Sequence, residues 1–227
     1  MLIRIAGLLD ATALTQAQRL LDAAAWDDGR ATAGPQAARV KNNQQLARGS
    51  EASITLQDMV LGALERNTGF FAAALPKRVL PPQFNRYGGD QNFYGAHVDQ
   101  AVRFVPGGAE KLRSDISATL FLSDPLSYDG GELVIDHSFG EQRIKLEAGD
   151  LVLYPGSSVH RVEPVTRGVR LASFFWIESM VRQTEQRRLL WELDGAISAL
   201  RARHGEGEET VRLTGVYHNL LREWADT

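Results

Sequence analysis

The chain has 227 residues, 44% of them hydrophobic, a formal net charge of −3 and no cysteine. That length suits one cored domain with a small appendage. The missing cysteines exclude disulfides, thiolate metal sites and cysteine nucleophiles. The mildly acidic balance offers no footprint for nucleic acid or an anionic membrane surface. No apolar run approaches the ~18 residues of a spanning helix. The N-terminal "MLIRIAGLLDATALTQAQ" turns polar too early for a signal peptide, so a cytoplasmic protein with no membrane partner is expected.

In chain order, "LIRIAGLL" reads as a short strand. "TALTQAQRLLDAAAW" carries Leu14, Leu20, Leu21 and Ala24 at helical spacing and predicts an amphipathic helix. "RATAG" and "ARVKNN" read as short extended pieces. "KNNQQL" is unusual in its four consecutive amides, which suit hydrogen-bonded edges; it is expected to line a substrate mouth or brace the core. Residues 53–66 predict a second helix, with Ser53 as N-cap and Asn67-Thr68-Gly69 as the stop.

From about residue 77 eight short β-rich runs alternate with turn signals, from "RVLPPQFNRY" to "GVRLASFFWI". They predict a sandwich or barrel, with "SYDGGEL" and "SFGEQ" as hairpin turns. After Trp176 the period returns to 3.6. Leu190, Leu193, Ile197 and Leu200 form one stripe, and Leu213, Tyr217, Leu220 and Trp224 another. The chain therefore divides into a β domain over residues 1–178, with flanking N-terminal elements, and a helical extension over 179–227. The two stripes exceed what one β-core need bury, so a homodimer is expected.

The chemistry starts at "NFYGAHVDQ". In an extended segment His97 and Asp99 project to one face. A buried carboxylate needs a partner, and a divalent metal is one; a bare H-x-D at a strand edge can equally face water. A third ligand decides between them. His204 and His218 sit on polar helical segments, and His137 ends a strand near a turn. His160, in "YPGSSVHRVEPV", lies on a short strand after a proline-glycine turn. Two histidines and one carboxylate on one face form the ligand set of non-haem Fe(II) oxygenases. Ten residues further on, Arg170 alternates with Ala172, Phe174 and Trp176. An arginine on an otherwise apolar face wants an anion: a buried acid such as Glu132 or Asp150, or a carboxylate ligand.

His97-x-Asp99, His160 after 60 intervening residues, and then Arg170 resemble the Fe(II)- and 2-oxoglutarate-dependent dioxygenases, specifically the prolyl/lysyl-hydroxylase branch. "FNRYGGDQNFYGAHVD", "SATLFLSD" with "YDGGEL", and "GDLVLYPGSSVHRV" carry that likeness. The whole chain is similar to the bacterial PKHD-type hydroxylases associated with iron uptake, including the N-terminal "LLD", the "VKNNQQL" stretch and the helical C-terminus. The resemblance implies an α+β, mainly β fold: a double-stranded β-helix, or jelly roll, with flanking N-terminal helices and a C-terminal helical extension. It implies His97, Asp99 and His160 as Fe(II) ligands and Arg170 on the far carboxylate of 2-oxoglutarate, with Tyr87 and Thr119 beside that cosubstrate. Dioxygen would be the second cosubstrate and L-ascorbate a reductant of the iron. Asp99 favours hydroxylation, since related halogenases have a small apolar residue there. The expected substrate is a small molecule or a peptidyl side chain. Two other readings of the same residues are a non-oxidative cupin-type metal or small-molecule binder and an iron/2-oxoglutarate sensor.

Overall fold

The computed structural model describes residues 1–32, 35–105, 107–137 and 140–227. β1 (Ile3–Ile5) leads to α1 (Ala11–Asp22), whose N-terminus Asp10 caps by accepting the Ala13 N–H. β2 (Trp26–Asp28), a 3-10 turn (Gly29–Thr32), α2 (Pro35–Ala38), β3 (Lys41–Asn42) and β4 (Gln44–Leu46) follow. The first residues of "RATAG" are thus in the 3-10 turn rather than extended, and Ala33 and Gly34 lie outside the described residues. α3 (Glu51–Arg66) starts earlier than expected. Ser50, not Ser53, is its N-cap and accepts the Ser53 N–H, while Ser53 is buried. A cap is chosen by backbone geometry that composition does not reveal. Asn67 ends α3 as expected and then caps α4 (Thr68–Ala74) by accepting the Phe70 N–H.

Thirteen strands follow: β5 (Pro76–Val79), β6 (Gln83–Tyr87), β7 (Phe93–His97), β8 (Val102–Phe104), β9 (Lys111–Arg113), β10 (Ile116–Phe121), β11 (Asp129–Gly130), β12 (Leu133–His137), β13 (Gly140–Ile144), β14 (Leu151–Pro155), β15 (His160–Val162), β16 (Val165–Arg167) and β17 (Arg170–Ser179). The "SFGEQ" turn contains Ser138 and Phe139, which lie outside the described residues. α5 (Thr184–His204) and α6 (Glu208–Trp224) close the chain as the expected helical pair.

The larger antiparallel sheet runs β1-β14-β10-β17-β6-β4-β2, with β5 also on β17; the smaller runs β13-β12-β15-β7-β3. Together they form the expected jelly roll. The alternation along β10 shows how the layers are built. Ile116, Ala118 and Leu120 join an apolar cluster with Leu21, Leu56, Val60 and Phe70 of the flanking helices. Ser117 and Thr119 face a cavity between the sheets, and Phe121 joins the inter-sheet cluster. Every residue of β10 is buried, as a strand covered on both faces requires. On β17, Phe175 and Ile177 face the helices, while Arg170, Phe174 and Trp176 line the cavity.

The C-terminal helices dock through Leu190, which packs with Leu75, Val181, Tyr217, Leu220 and Trp224. Much of the apolar stripe is therefore covered within the chain. Arg187, 2% exposed, donates to the Val181 and Arg182 carbonyls at 2.7 and 2.8 Å and ties α5 to the end of β17.

The "DGG" turn leaves Gly131 at φ 68°, a left-handed conformation. A Cβ there would meet Val165 Cγ2 at 2.9 Å and Arg170 Cδ and Tyr128 Cε2 at 3.0 Å. Gly89 has φ 57° with nothing within 4 Å of its missing Cβ. We expect Gly131→Ala to cost about 2–4 kcal/mol and Gly89→Ala about 1 kcal/mol, read from urea midpoints at unchanged m-value. Equal costs would show that contact with Arg170 does not constrain this turn.

Candidate active site

The antiparallel pairing of β15 with β7 sets His160 opposite His97. Asp99 lies just past the end of β7, but the alternation persists: His97 is 6% exposed, Val98 is 46% exposed, and the Asp99 side chain is 8% exposed. His97 Nδ1 lies 2.8 Å from the Gly95 carbonyl and His160 Nδ1 lies 3.0 Å from the Ser158 carbonyl. A carbonyl only accepts, so both Nδ1 atoms carry a proton, and Nε2 is the nitrogen of each ring left to ligate a metal. Tyr94 stacks on His97 at 3.7 Å, and Tyr154 meets His160 edge-on at 5.1 Å, which holds the two rings.

Asp99 Oδ2 is 3.7 Å from His160 Nε2, and one donor atom from each of His97, Asp99 and His160 falls within 4.8 Å of the others. Ser117 donates to Asp99 Oδ2 at 2.6 Å and Arg103 to Oδ1 at 3.2 Å. Burial, and then His160, push the His97 imidazole down to about 4, so its lone pair stays available through neutral pH. Burial pushes Asp99 up, but His160, Ser117 and Arg103 outweigh it and hold the carboxyl below its ordinary value. Two imidazoles and a carboxylate, converging and pre-oriented, fit a ferrous ion.

Arg170 is the second element. It is 1% exposed, and none of its three guanidinium nitrogens finds a hydrogen-bond partner among the described residues. The acid alternatives do not supply one. Asp150 accepts from Arg4 Nε at 2.7 Å and from the Gly7 N–H at 2.8 Å, and Glu132 makes no ion pair with Arg170 among the described residues. The guanidinium sits 5.2 Å from the rings of both Tyr87 and Phe121. A buried cation of this kind is costly without an anion, and a carboxylate with bidentate geometry fits it.

His97, Asp99, His160, Arg170, Tyr87 and Thr119 all line one cavity of about 200 Å³. Tyr87 is Arg170's cross-strand partner, and its hydroxyl accepts from Asn85 Nδ2 at 3.2 Å. Burial raises the Tyr154 phenol, with Thr119 acting the other way. Of the polar residues flanking the ligand motif, Asn85, Gln100 and Arg103 reach the cavity. Three others bond within the scaffold: Arg86 donates to Gln44, Asn92 to the Val165 carbonyl, and Arg113 to Asp115.

This site and fold define a dioxygenase that uses ferrous iron and 2-oxoglutarate. The model of the 2OG-Fe(II) oxygenase superfamily matches residues 82–178, and that of the PKHD-type hydroxylase C-terminal domain matches residues 185–226. A PKHD-type hydroxylase of Verminephrobacter eiseniae is 60% identical over the whole of both chains, and one of Polaromonas sp. 55%. The chain belongs to the PKHD-type hydroxylases. A prolyl-4-hydroxylase of Pseudomonas putida is similar in structure, with TM-score 0.50 and 25% identity over 78% of this chain and 92% of its own. A prolyl hydroxylase of Trichoplax adhaerens shares the fold at TM-score 0.54 and 17% identity, over 83% of this chain and 86% of its own.

Several lining residues escaped the sequence reading: Lys41, Gln83, Ser117 and Tyr154. Ser117 had a signal, since it shares a strand face with Thr119. Lys41 heads the amide-rich stretch and lines the cavity, while Asn43 and Gln45 are buried. Lys41 is 6% exposed and donates to Gln45 Oε1 at 2.8 Å. Burial, with Arg48 and Arg103 adding to it, lowers its amine to about 8.

The ordinary amine value is 10.5. Between about 8 and 10.5 the unfolded chain holds this proton and the folded chain does not, so Lys41's contribution to stability rises with pH across that window. Below it, the burial penalty is on the order of 3 kcal/mol. Lys41→Met is expected to stabilise the protein at pH 7 by about 1–2 kcal/mol after loss of the Gln45 bond, an advantage that shrinks towards pH 10. Denaturant unfolding of both proteins across that range tests this; a destabilised variant at pH 7 would make Lys41 a structural brace.

Proposed function

We propose that the enzyme hydroxylates a C–H bond of a small molecule or a peptidyl side chain, with His97 Nε2, His160 Nε2 and an Asp99 oxygen as the iron ligands. Arg170 grips the far carboxylate of 2-oxoglutarate, and Tyr87 and Thr119 flank it. The observation that carries this reading is a buried, partnerless Arg170 in the same cavity as three converging donors.

Bound together, iron, 2-oxoglutarate and dioxygen supply oxidative decarboxylation to succinate and carbon dioxide, with the second oxygen atom delivered to substrate. The chain's own residues do the rest. Gly95 and Ser158 fix the histidine tautomers. Ser117 and Arg103 hold both oxygens of Asp99, which favours one ligating oxygen and open metal positions. Tyr94, Tyr154 and Leu133 wall the ligands from bulk water. A guanidinium offers two-point geometry that an ammonium lacks.

L-ascorbate fits as the reductant of iron after uncoupled turnover, and a role in iron homeostasis follows from the family likeness. The cytoplasm, which supplies ferrous iron and 2-oxoglutarate, is the fitting compartment. We also propose a homodimer through the C-terminal helices, where Leu189, Leu200, Val211 and Val216 stay 38–57% exposed.

Anaerobic Fe(II) with 2-oxoglutarate should give a visible charge-transfer band, and admitting oxygen should release succinate slowly without substrate. His160→Ala should abolish both. Arg170→Met should raise the KM for 2-oxoglutarate by about 100-fold or more, with Arg170→Lys intermediate. Unchanged band and succinate release in His160→Ala and Arg170→Met would refute the assignment, and binding without succinate release would make the protein a sensor. For assembly, light scattering should give the dimer mass; a monomer across micromolar concentrations removes that part.

A further inference from the structure

Of the three proposed iron ligands, Asp99 is the anion, and Arg103 answers its charge. The Asp99 side chain is 8% exposed and the Arg103 side chain 18%. Arg103 Nη2 donates to Asp99 Oδ1 at 3.2 Å, and Ser117 Oγ donates to Oδ2 at 2.6 Å. The two bonds differ in kind. Ser117 brings a neutral donor to the carboxylate, whereas Arg103 brings a full positive charge.

Packing puts Arg103 there. On β8, Val102 and Phe104 are 53% and 65% exposed, and alternation turns Arg103 to the opposite face. Its guanidinium carbon lies 3.2 Å from the centre of the Trp176 ring, and both residues line the cavity. Its Nε is buried with no hydrogen-bond partner among the described residues. A web of bonds to the scaffold therefore does not account for this side chain. Trp176 is the surface it lies on, and Asp99 is the acceptor it reaches. Stability does not require a cation in this place, because an apolar side chain on Trp176 would avoid the desolvation.

A guanidinium bonded to a ligating carboxylate draws electron density from it and opposes further positive charge on the metal. Ferric iron carries one charge more than ferrous iron, so the ferric form loses more. Hydrogen bonds and charge around the ligands are general levers on the potential of a protein-bound iron. We propose that Arg103 is a positioning residue that acts through Asp99 to favour ferrous over ferric iron at this site. The proposal rests on the iron reading of His97, Asp99 and His160. It gives the chain its own means of keeping the metal in the oxidation state from which the reaction starts.

The test uses full-length protein loaded with iron alone, titrated anaerobically with redox mediators and read by the high-spin ferric EPR signal. Arg103→Gln keeps a neutral donor without the charge, Arg103→Met removes both, and Ser117→Ala removes the neutral bond on the other oxygen. Both Arg103 variants should shift the ratio of ferric to ferrous binding about tenfold or more towards the ferric ion, a fall of about 59 mV in the midpoint potential. Ser117→Ala should stay within about threefold of the unchanged protein. A purely structural role would weaken Fe(II) and Fe(III) together and leave the potential in place. An unshifted potential in both Arg103 variants overturns the proposal, as does a shift in Ser117→Ala equal to that of Arg103→Gln. Loss of Fe(II) binding in both Arg103 variants also overturns it, since Arg103 would then build the site rather than tune it. If the unchanged protein holds no iron, or His160→Ala holds it equally well, the reading of the site itself fails, and this proposal with it.

Discussion

The site depends on one register, the pairing of His160 with His97 across β15 and β7. A one-residue slip would turn His160 to the opposite face of its sheet and leave Val159 or Arg161 in its place. The pairing also sets the bonds that prepare the rings. Each histidine donates Nδ1–H to a carbonyl two residues before it, Gly95 for His97 and Ser158 for His160. Backbone geometry near the strand thus decides which nitrogen can ligate a metal. Gly95 belongs to the same arrangement: a Cβ there would come within 2.9 Å of Val40 Cβ, so β3 could not lie as close to β7.

The second constraint is the expense of keeping cations inside. Arg170 is buried without a bonding partner, and Lys41 is buried far enough to lower its amine to about 8. Neither arrangement is explained by stability, because an apolar side chain of similar volume avoids the desolvation. The scaffold offsets the cost elsewhere, in the apolar cluster between the large sheet and α1, α3 and α4. β10 and β17 divide these tasks by alternation. Their helix-facing residues supply burial, and their cavity-facing residues supply chemistry.

The amide-rich β3–β4 segment reaches the cavity through Lys41, and its Gln45 bonds both Lys41 and Gln83. Amides can donate or accept, so a wall of them would ordinarily be indifferent to the charge of a ligand. Here donor-only residues at both ends of the relay remove that freedom and fix the oxygens of Gln45 and Gln83 as acceptors. The same logic operates at Asp99, where Ser117 and Arg103 occupy both oxygens from opposite directions.

Local pattern determined a good deal by itself. Period-2 alternation put His97 with Asp99, and Arg170 with Phe174 and Trp176, on shared faces. Spacing at 3.6 located α1, α3, α5 and α6. The ordered set of His97, Asp99, His160 and Arg170 named the chemistry through its resemblance to the Fe(II)- and 2-oxoglutarate-dependent dioxygenases. Tertiary structure decided what proximity decides. It chose Ser50 over Ser53 as the α3 cap. It gave Asp150 to Arg4, leaving Arg170 for a ligand. It carried Lys41 and Gln83 to the cavity wall from segments that sequence separation keeps apart, with Gln45 bonded to both. Alternation says which side of a strand a residue takes; only the packing of two sheets says what stands across from it.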